Sequence, residues 1–398
     1  MIKTCSNCAG RLVYDIAKRG VKCCSCESVF TVEEIPEVNN QNNLETSDKI
    51  QRTMDCNVYT CNSCGAEIVI NDTEASTFCV YCGNPSIVFS RMTSMKRPEC
   101  IIPFTVTREQ AEQIIRERIG NGRLVPEAIK NFTVETLRPI YIPYYITDIS
   151  CAGSALMSSV VGSGKNSHTY YYFRKAQCDF THVSTDASKK LADSSSERLE
   201  PFNYKKIVEF DEDYLLGFYA DMSDVPMLEA QNTARSRAVN LFEQSMIESV
   251  KEGSNKKVDS KRLNARINGN SRTALFPAWF LTFRYEDQPY TILVNGQTGK
   301  VVGGVPWDKP KYTAIYVGLM VILTAILTLV FAGLFYAIGH IDDSDSAGDL
   351  IEIVIFICIF AGGSFSTGLK RLKSVKKSIE RTTATTLTSF VKERQSAN

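Results

Sequence analysis

Two sets of four cysteines share one spacing, and that spacing restricts what the N-terminal part of this chain can become. Cys5, Cys8, Cys23 and Cys26 read C-x2-C-x14-C-x2-C, and Cys61, Cys64, Cys79 and Cys82 repeat the pattern, each displaced by 56 positions. Such self-similarity marks an internal repeat. Each C-x-x-C forms a knuckle that offers two sulfurs to one ion, and the residues between knuckles suit a short hairpin that brings the second round to the first. Zn²⁺ accepts four thiolates tetrahedrally at ~2.3 Å, and a set closed in this way is structural because it keeps no position for a substrate. Segments this small bury too little apolar surface to fold unaided, so metal binding would supply much of their folding free energy. The spacing therefore predicts two small zinc ribbons holding two Zn²⁺ ions, one per set. Iron in a rubredoxin-type site is the rival, but nothing nearby suggests a redox partner. Cys24 stands beside Cys23 and could substitute for it; Cys56 precedes the second set. Both read as spectators.

Ten of the 14 cysteines fall before residue 83, most of them in these pairs, which favours thiolate ligands in a reducing compartment over a disulfide scaffold. The opening MIKTCSNC lacks the apolar stretch of a cleavable leader. Ribbon 1 spans 1–32 and carries Arg11, Lys18, Arg19 and Lys22, a modest basic hairpin. Ribbon 2 spans 56–92; between Cys61 and Cys82 it has no Lys or Arg and carries Glu67, Asp72 and Glu74, which argues against a phosphate-binding face there. Residues 33–55 between them are polar and Asn-rich and read as a flexible linker.

The C-terminal part sets a different expectation. Residues 312–338 contain no charge, and as a helix they would reach ~40 Å, beyond the ~30 Å of a bilayer's hydrocarbon core. A second run, 350–369, carries only Glu352. The loop between, 339–349, is acidic, and the tail 370–398 is basic, as is the approach through Lys309 and Lys311. The positive-inside pattern then predicts a two-helix transmembrane hairpin, a multi-pass protein of the cell membrane with both termini cytoplasmic and the lipid bilayer as a partner.

Residues 100–306 read as a mainly antiparallel α+β domain, so the fold class expected for the whole is α+β. TREQAEQIIRERIGNG opens with a Thr107…Gln110 capping box and stops at Gly120. In LRPIYIPYYITDI, Pro139 and Pro143 suggest an edge or a bulge. ALMSSVV, HTYYYFRKAQCDFTHVS and DYLLGFYA are further strand candidates. A long helix from Asp224–Pro226 is expected to bury Leu228, Ala234, Ala238, Leu241 and Met246. Three short strands follow in ALFPAWFLTFRYEDQPYTILVNGQTGKVVGGVPW, with turns at 286–288 and 295–299. Catalytic signatures fail on inspection. VVGSGKNSH lacks the first glycine and the Ser/Thr of a phosphate loop. Cys151 and Cys178 accompany His168 and His182, yet such residues in strands more often pack than react. No catalytic residue is nominated, and the chain is not expected to be an enzyme.

The paired ribbons, IIPFTVTREQA, IYIPYYITD, DYLLGFYA and LFPAWFLTFRYEDQPYTILVNGQTGKVVG taken in that order resemble the bacterial membrane-anchored TFIIB-type zinc-ribbon proteins, the YdjG-like family. The resemblance covers nearly the whole chain. It implies a membrane anchor that works with a companion membrane protein and recruits SPFH/flotillin-like and phage-shock-type membrane-stress proteins. The function expected is a membrane-tethered zinc-ribbon adaptor; the alternative is a membrane-anchored nucleic-acid-binding regulator, for which the first ribbon's basic hairpin is the best support.

Overall fold

A computed structural model describes residues 4–32, 53–70, 79–81, 87–120, 125–130, 137–162, 164–189, 197–285, 288–303 and 308–338. The expected linker 33–55 lies almost wholly outside the described residues, as do Cys82, the acidic loop, the second expected span and the tail. The first segment forms β1 (Leu12–Asp15), β2 (Gly20–Cys23) and β3 (Val29–Phe30), an antiparallel three-stranded sheet of its own. There follow β4 (Thr53–Cys61), β5 (Glu67–Ile70), β6 (Ile87–Lys96) and β7 (Cys100–Ile101), then α1 (Arg108–Gly120) and α2 (Glu127–Lys130). The long strands β8 (Leu137–Val161) and β9 (His168–Asp186) come next, then β10 (Val208–Glu209), β11 (Tyr219–Asp221) and α3 (Met227–Glu248). The chain continues through β12 (Ser254–Tyr285), β13 (Gln288–Asn295), β14 (Val301–Gly303) and α4 (Lys309–Ile338).

Strands β4 to β14 make one 11-stranded sheet in the order β10-β7-β12-β8-β11-β5-β4-β6, with β13 and β14 added on β12 and β9 on β8. Two pairings, β11 with β8 and β12 with β7, are parallel; the rest are antiparallel. The class is α+β, mainly sheet. The capping box forms as expected: Thr107 N donates to Gln110 Oε1 at 3.0 Å and Gln110 N to Thr107 Oγ1 at 3.3 Å.

The prolines of β8 do not mark an edge. Pro139 and Pro143 lie in the middle of the sheet opposite Trp279 and Leu275, and Pro277 of β12 lies opposite Tyr141. Leu275 and Pro277 accept from Ile102 N and Gly296 N, on the side of β12 away from β8, while Pro143 accepts from Ala187 N on the side of β8 away from β12. Antiparallel partners alternate between hydrogen-bonded and non-bonded pairs. All three prolines occupy non-bonded pairs, so the β8–β12 ladder loses no donor. Of DYLLGFYA, only Tyr219 and Ala220 are strand, at the start of β11, and its first three residues belong to the 3-10 turn Glu212–Leu215.

The far halves of β8, β9 and β12 project beyond the rest of the sheet as a three-stranded blade. Helix α3 covers one of its faces. Ala230, Ala234, Ala238, Phe242 and Met246 are its buried residues, four apart, and all but Ala230 pack with Ile149, Cys151, Ala155 and Met157 of β8. Leu228 is 70% exposed and Leu241 39%, so neither joins this stripe as expected. A stripe advancing by four carries Phe242 inward and leaves its neighbour Leu241 at the rim.

Among the described residues no helix is long and apolar enough to cross a membrane. Helix α4 has 30 residues and leaves Val321, Leu329 and Tyr336 exposed. The expected transmembrane hairpin and the multi-pass localisation with both termini cytoplasmic are corrected accordingly.

Candidate metal centres

In the first ribbon the four predicted sulfurs, Cys5, Cys8, Cys23 and Cys26, all lie within 4.8 Å of one another. Cys5 and Cys26 are 3.6 Å apart, Cys8 and Cys23 3.5 Å. A tetrahedron with ~2.3 Å metal–sulfur bonds has edges of about 3.8 Å, so the set is nearly the right size for one ion. In the second ribbon Cys61, Cys64 and Cys79 gather within the same limit, with Cys64 and Cys79 3.7 Å apart. Cys82 lies outside the described residues. Both clusters are thiol sets that fit a thiophilic ion. Cys24 is exposed and belongs to neither. Cys56 is buried, bonds to Thr93 O at 3.4 Å, and has its thiol pushed up to about 11 by burial and by Asp55.

Three knuckles use one backbone turn. Cys5 N donates to Gly10 O and Ala9 N to Cys5 O; Cys23 N to Ser28 O and Glu27 N to Cys23 O; Cys61 N to Ala66 O and Gly65 N to Cys61 O. The residue four after each cysteine is left-handed: Ala9 at φ 56°, Glu27 at 60° and Gly65 at 67°. This double bond curls the chain so that its amides face the sulfur, and Ser25 N lies 3.4 Å from Cys23 Sγ. Gly10 allows the two knuckles of ribbon 1 to close, since a Cβ there would stand 2.6 Å from Ser25 Oγ and 3.1 Å from Cys23 Sγ. The Ser28 hydroxyl, its amide and Cys8 hold the Cys26 thiol down to about 6, which favours the thiolate that binds metal.

The ribbons differ in how they join the rest. The β1–β2 hairpin turns at Asp15, whose Oδ1 accepts from Ala17 N and Lys18 N. Its Tyr14 docks on the large sheet's core, donating its amide to Leu216 O at 3.0 Å and setting its ring 5.2 Å from Tyr214 and 6.2 Å from Phe218. Cys8 and Cys26 remain exposed. Ribbon 2 is part of the large sheet, because β5 pairs with β11 through Ile68, Val69 and Ile70. Its second knuckle is locked from below: Thr282 Oγ1 donates to Val80 O at 2.8 Å, and buried Tyr81 meets Phe280 edge-on at 5.6 Å. Sequence reasoning missed these anchors, since no local signal links position 81 to 280.

The other reactive residues do not assemble a site. Cys151 and Cys178 face each other across β8 and β9, and burial raises the Cys151 thiol, the opposite of what a nucleophile needs. The His182 ring stacks on Tyr204 at 5.2 Å, and His168 is exposed at the start of β9. Gly164–Asn166 is a 3-10 turn between β8 and β9 rather than the opening of a helix that could cradle phosphate.

No family model matches the chain, and no solved structure matches it. A distant relative does. The uncharacterized protein YdjG of Bacillus subtilis (strain 168) is 26% identical over 325 residues, 79% of this chain and 93% of that protein.

Proposed function

We propose that this chain is a zinc-folded adaptor that recruits a protein partner, and that it forms one zinc-ribbon family with YdjG. The carrying observation is the closure of four sulfurs within 4.8 Å of one another in the first ribbon, two pairs of them at 3.5–3.6 Å, with Cys8 and Cys26 at the surface. Zinc is favoured over iron because the set is closed and no redox partner adjoins it. A closed thiolate set fixes the shape of a surface and leaves no position for a reactant, so the reading is of recognition, not of catalysis. Ribbon 1 is the recognition module in this reading, because ribbon 2 is committed to the large sheet. The partner class that the family resemblance supplies is an SPFH/flotillin-like or phage-shock-type stress protein.

The test is crosslinking and affinity capture with the full chain, followed by mass spectrometry, comparing the wild type with Cys8→Ser/Cys26→Ser after nuclease treatment. The variant is expected to lose about half of its bound zinc and one defined set of proteins while its circular dichroism stays close to the wild type's. The same proteins captured by both would refute the reading.

A further inference from the structure

The blade face opposite α3 is covered by no described element, and its side chains are sorted by strand. Residues paired across β9, β8 and β12 point the same way, and rows alternate between faces. The rows containing Ala155 and Met157 pack under α3, and Lys261, opposite Ala155, reaches Glu243 of α3. The rows between them face outward. One joins Lys175, Ser154 and Arg262; another joins Phe173, Leu156 and Ser260; a third joins Tyr171, Ser158 and Lys257; Arg266 adds a further cation opposite Ser150.

The result is a trough. Its floor is β8, where Ser150, Ala152 and Ser154 are small. One wall is cationic, with Lys257, Arg262 and Arg266 all exposed. The other carries Tyr171 and Phe173, 67% and 65% exposed, in the rows of Lys257 and Ser260, then Lys175 across from Arg262 and Asp179 across from Arg266. Strands lie ~4.8 Å apart, so the walls stand ~10 Å apart across the floor. Among the described residues no ion pair engages any of these four cations. Asp179, which shares a row with Ser150 and Arg266, already accepts from Ser150 Oγ at 2.5 Å. Ser158 on the floor is 3% exposed, and its Oγ has no hydrogen-bond partner among the described residues.

We propose that this trough binds single-stranded nucleic acid. Unpaired cations beside a row of exposed rings match a ligand that carries a phosphate at every step and a planar base on the other side. Strand periodicity supplies both at a regular spacing, with phosphates on the β12 wall and bases against Tyr171 and Phe173. A trough between two walls suits a chain, whereas a bilayer surface is a plane and an acidic peptide offers nothing to stack on the rings. The inference stands apart from the adaptor reading: it uses β8, β9 and β12 and neither metal centre.

Fluorescence anisotropy of a labelled oligothymidylate with the full chain tests it. Tyr171→Ala/Phe173→Ala is expected to weaken binding by about 10-fold or more. Arg262→Ala/Arg266→Ala should weaken it similarly and reduce the slope of log K against log salt by about 1.4, at ~0.7 per phosphate contact. Lys18→Ala/Arg19→Ala in the first ribbon should change binding less than two-fold. Thermal unfolding unchanged in each variant separates these effects from misfolding. The proposal is overturned if the oligonucleotide does not bind, or if binding falls with the ribbon variant instead of the blade variants. Equal or tighter binding to phosphatidylserine vesicles or to polyglutamate would also overturn it.

Discussion

Replacing Cys64 and Cys79 with serine should destabilise the whole sheet, because the second knuckle is wedged into the core instead of hanging from it. Val80 and Tyr81 are each 1% exposed, and Tyr81 packs against Phe280 of β12. Full burial of side chains of this size contributes ~1.5–3 kcal/mol each. The hydrogen bond from Thr282 Oγ1 to Val80 O adds ~1 kcal/mol. Together these amount to about 4–7 kcal/mol, and partial collapse of the freed segment onto the sheet would recover some of it, leaving a loss of about 3–5 kcal/mol. Urea unfolding followed by the fluorescence of Trp279, which is 3% exposed in the core, would read this directly in a Trp307→Phe background. Tyr81→Ala should cost most of the same amount while retaining both ions. Combined with the double serine variant it should add little, since both remove the same wedge. A midpoint shift worth less than about 1 kcal/mol in the cysteine variant would refute the reasoning and make the second knuckle an appendage.

Two further outcomes follow from the backbone and from the buried tyrosines. Ala9→Gly and Glu27→Gly should each slow zinc release from the first ribbon in a chelator competition, because left-handed φ values of 56° and 60° cost an L-residue ~1 kcal/mol that glycine avoids. Stability should also fall at alkaline pH: burial, reinforced by Tyr214, pushes Tyr14 up to about 12 from 10, and burial raises Tyr81 and Tyr141 well above their usual value. A phenol raised on folding stabilises below its unfolded value and loses that contribution as pH climbs through the folded one. Unfolding free energies measured across that window should decline, and Tyr14→Phe should make the decline shallower.

What the sequence discloses here is local. The knuckle turns at Cys5, Cys23 and Cys61, the capping box at Thr107 and Gln110, and the turn at Asn295–Gly299 each depend on residues within a few positions of one another, and each appears where the pattern places it. Long-range pairing is what the pattern hides. Residues 254–273 raise no strand expectation because their charged side chains, Lys257, Arg262 and Arg266 among them, alternate with only partly buried Val258, Leu263 and Ile267. One face under a helix and one face open to water gives weak alternation, and the bulges near Val258 and Asn268 break its phase. The prolines of β8 mislead for a related reason: a sequence shows that a donor is missing but not that the register leaves that donor unused.

The turn at Asn295 separates what the metal does from what the backbone does. Asn295 N donates to Lys300 O and Gly299 N to Asn295 O, with Gly299 at φ 76°, the same double bond and the same left-handed residue as in the three knuckles. Where a knuckle has sulfur, this turn has Asn295 Oδ1, which accepts from Gln297 N and Thr298 N at 2.9 Å each. An uncharged amide oxygen thus holds the curl without any ion. The knuckle conformation is therefore within reach of the bare chain, and an ion held by both knuckles would contribute by joining one to the other across the 14 residues between them. Metal removal should on this argument spare each single turn and unlink the pairs. In ribbon 1 that frees the exposed Cys8 and Cys26 surface, whereas in ribbon 2 it releases the wedge at Tyr81. The same chemistry, repeated 56 residues apart, serves a surface in one copy and the core in the other.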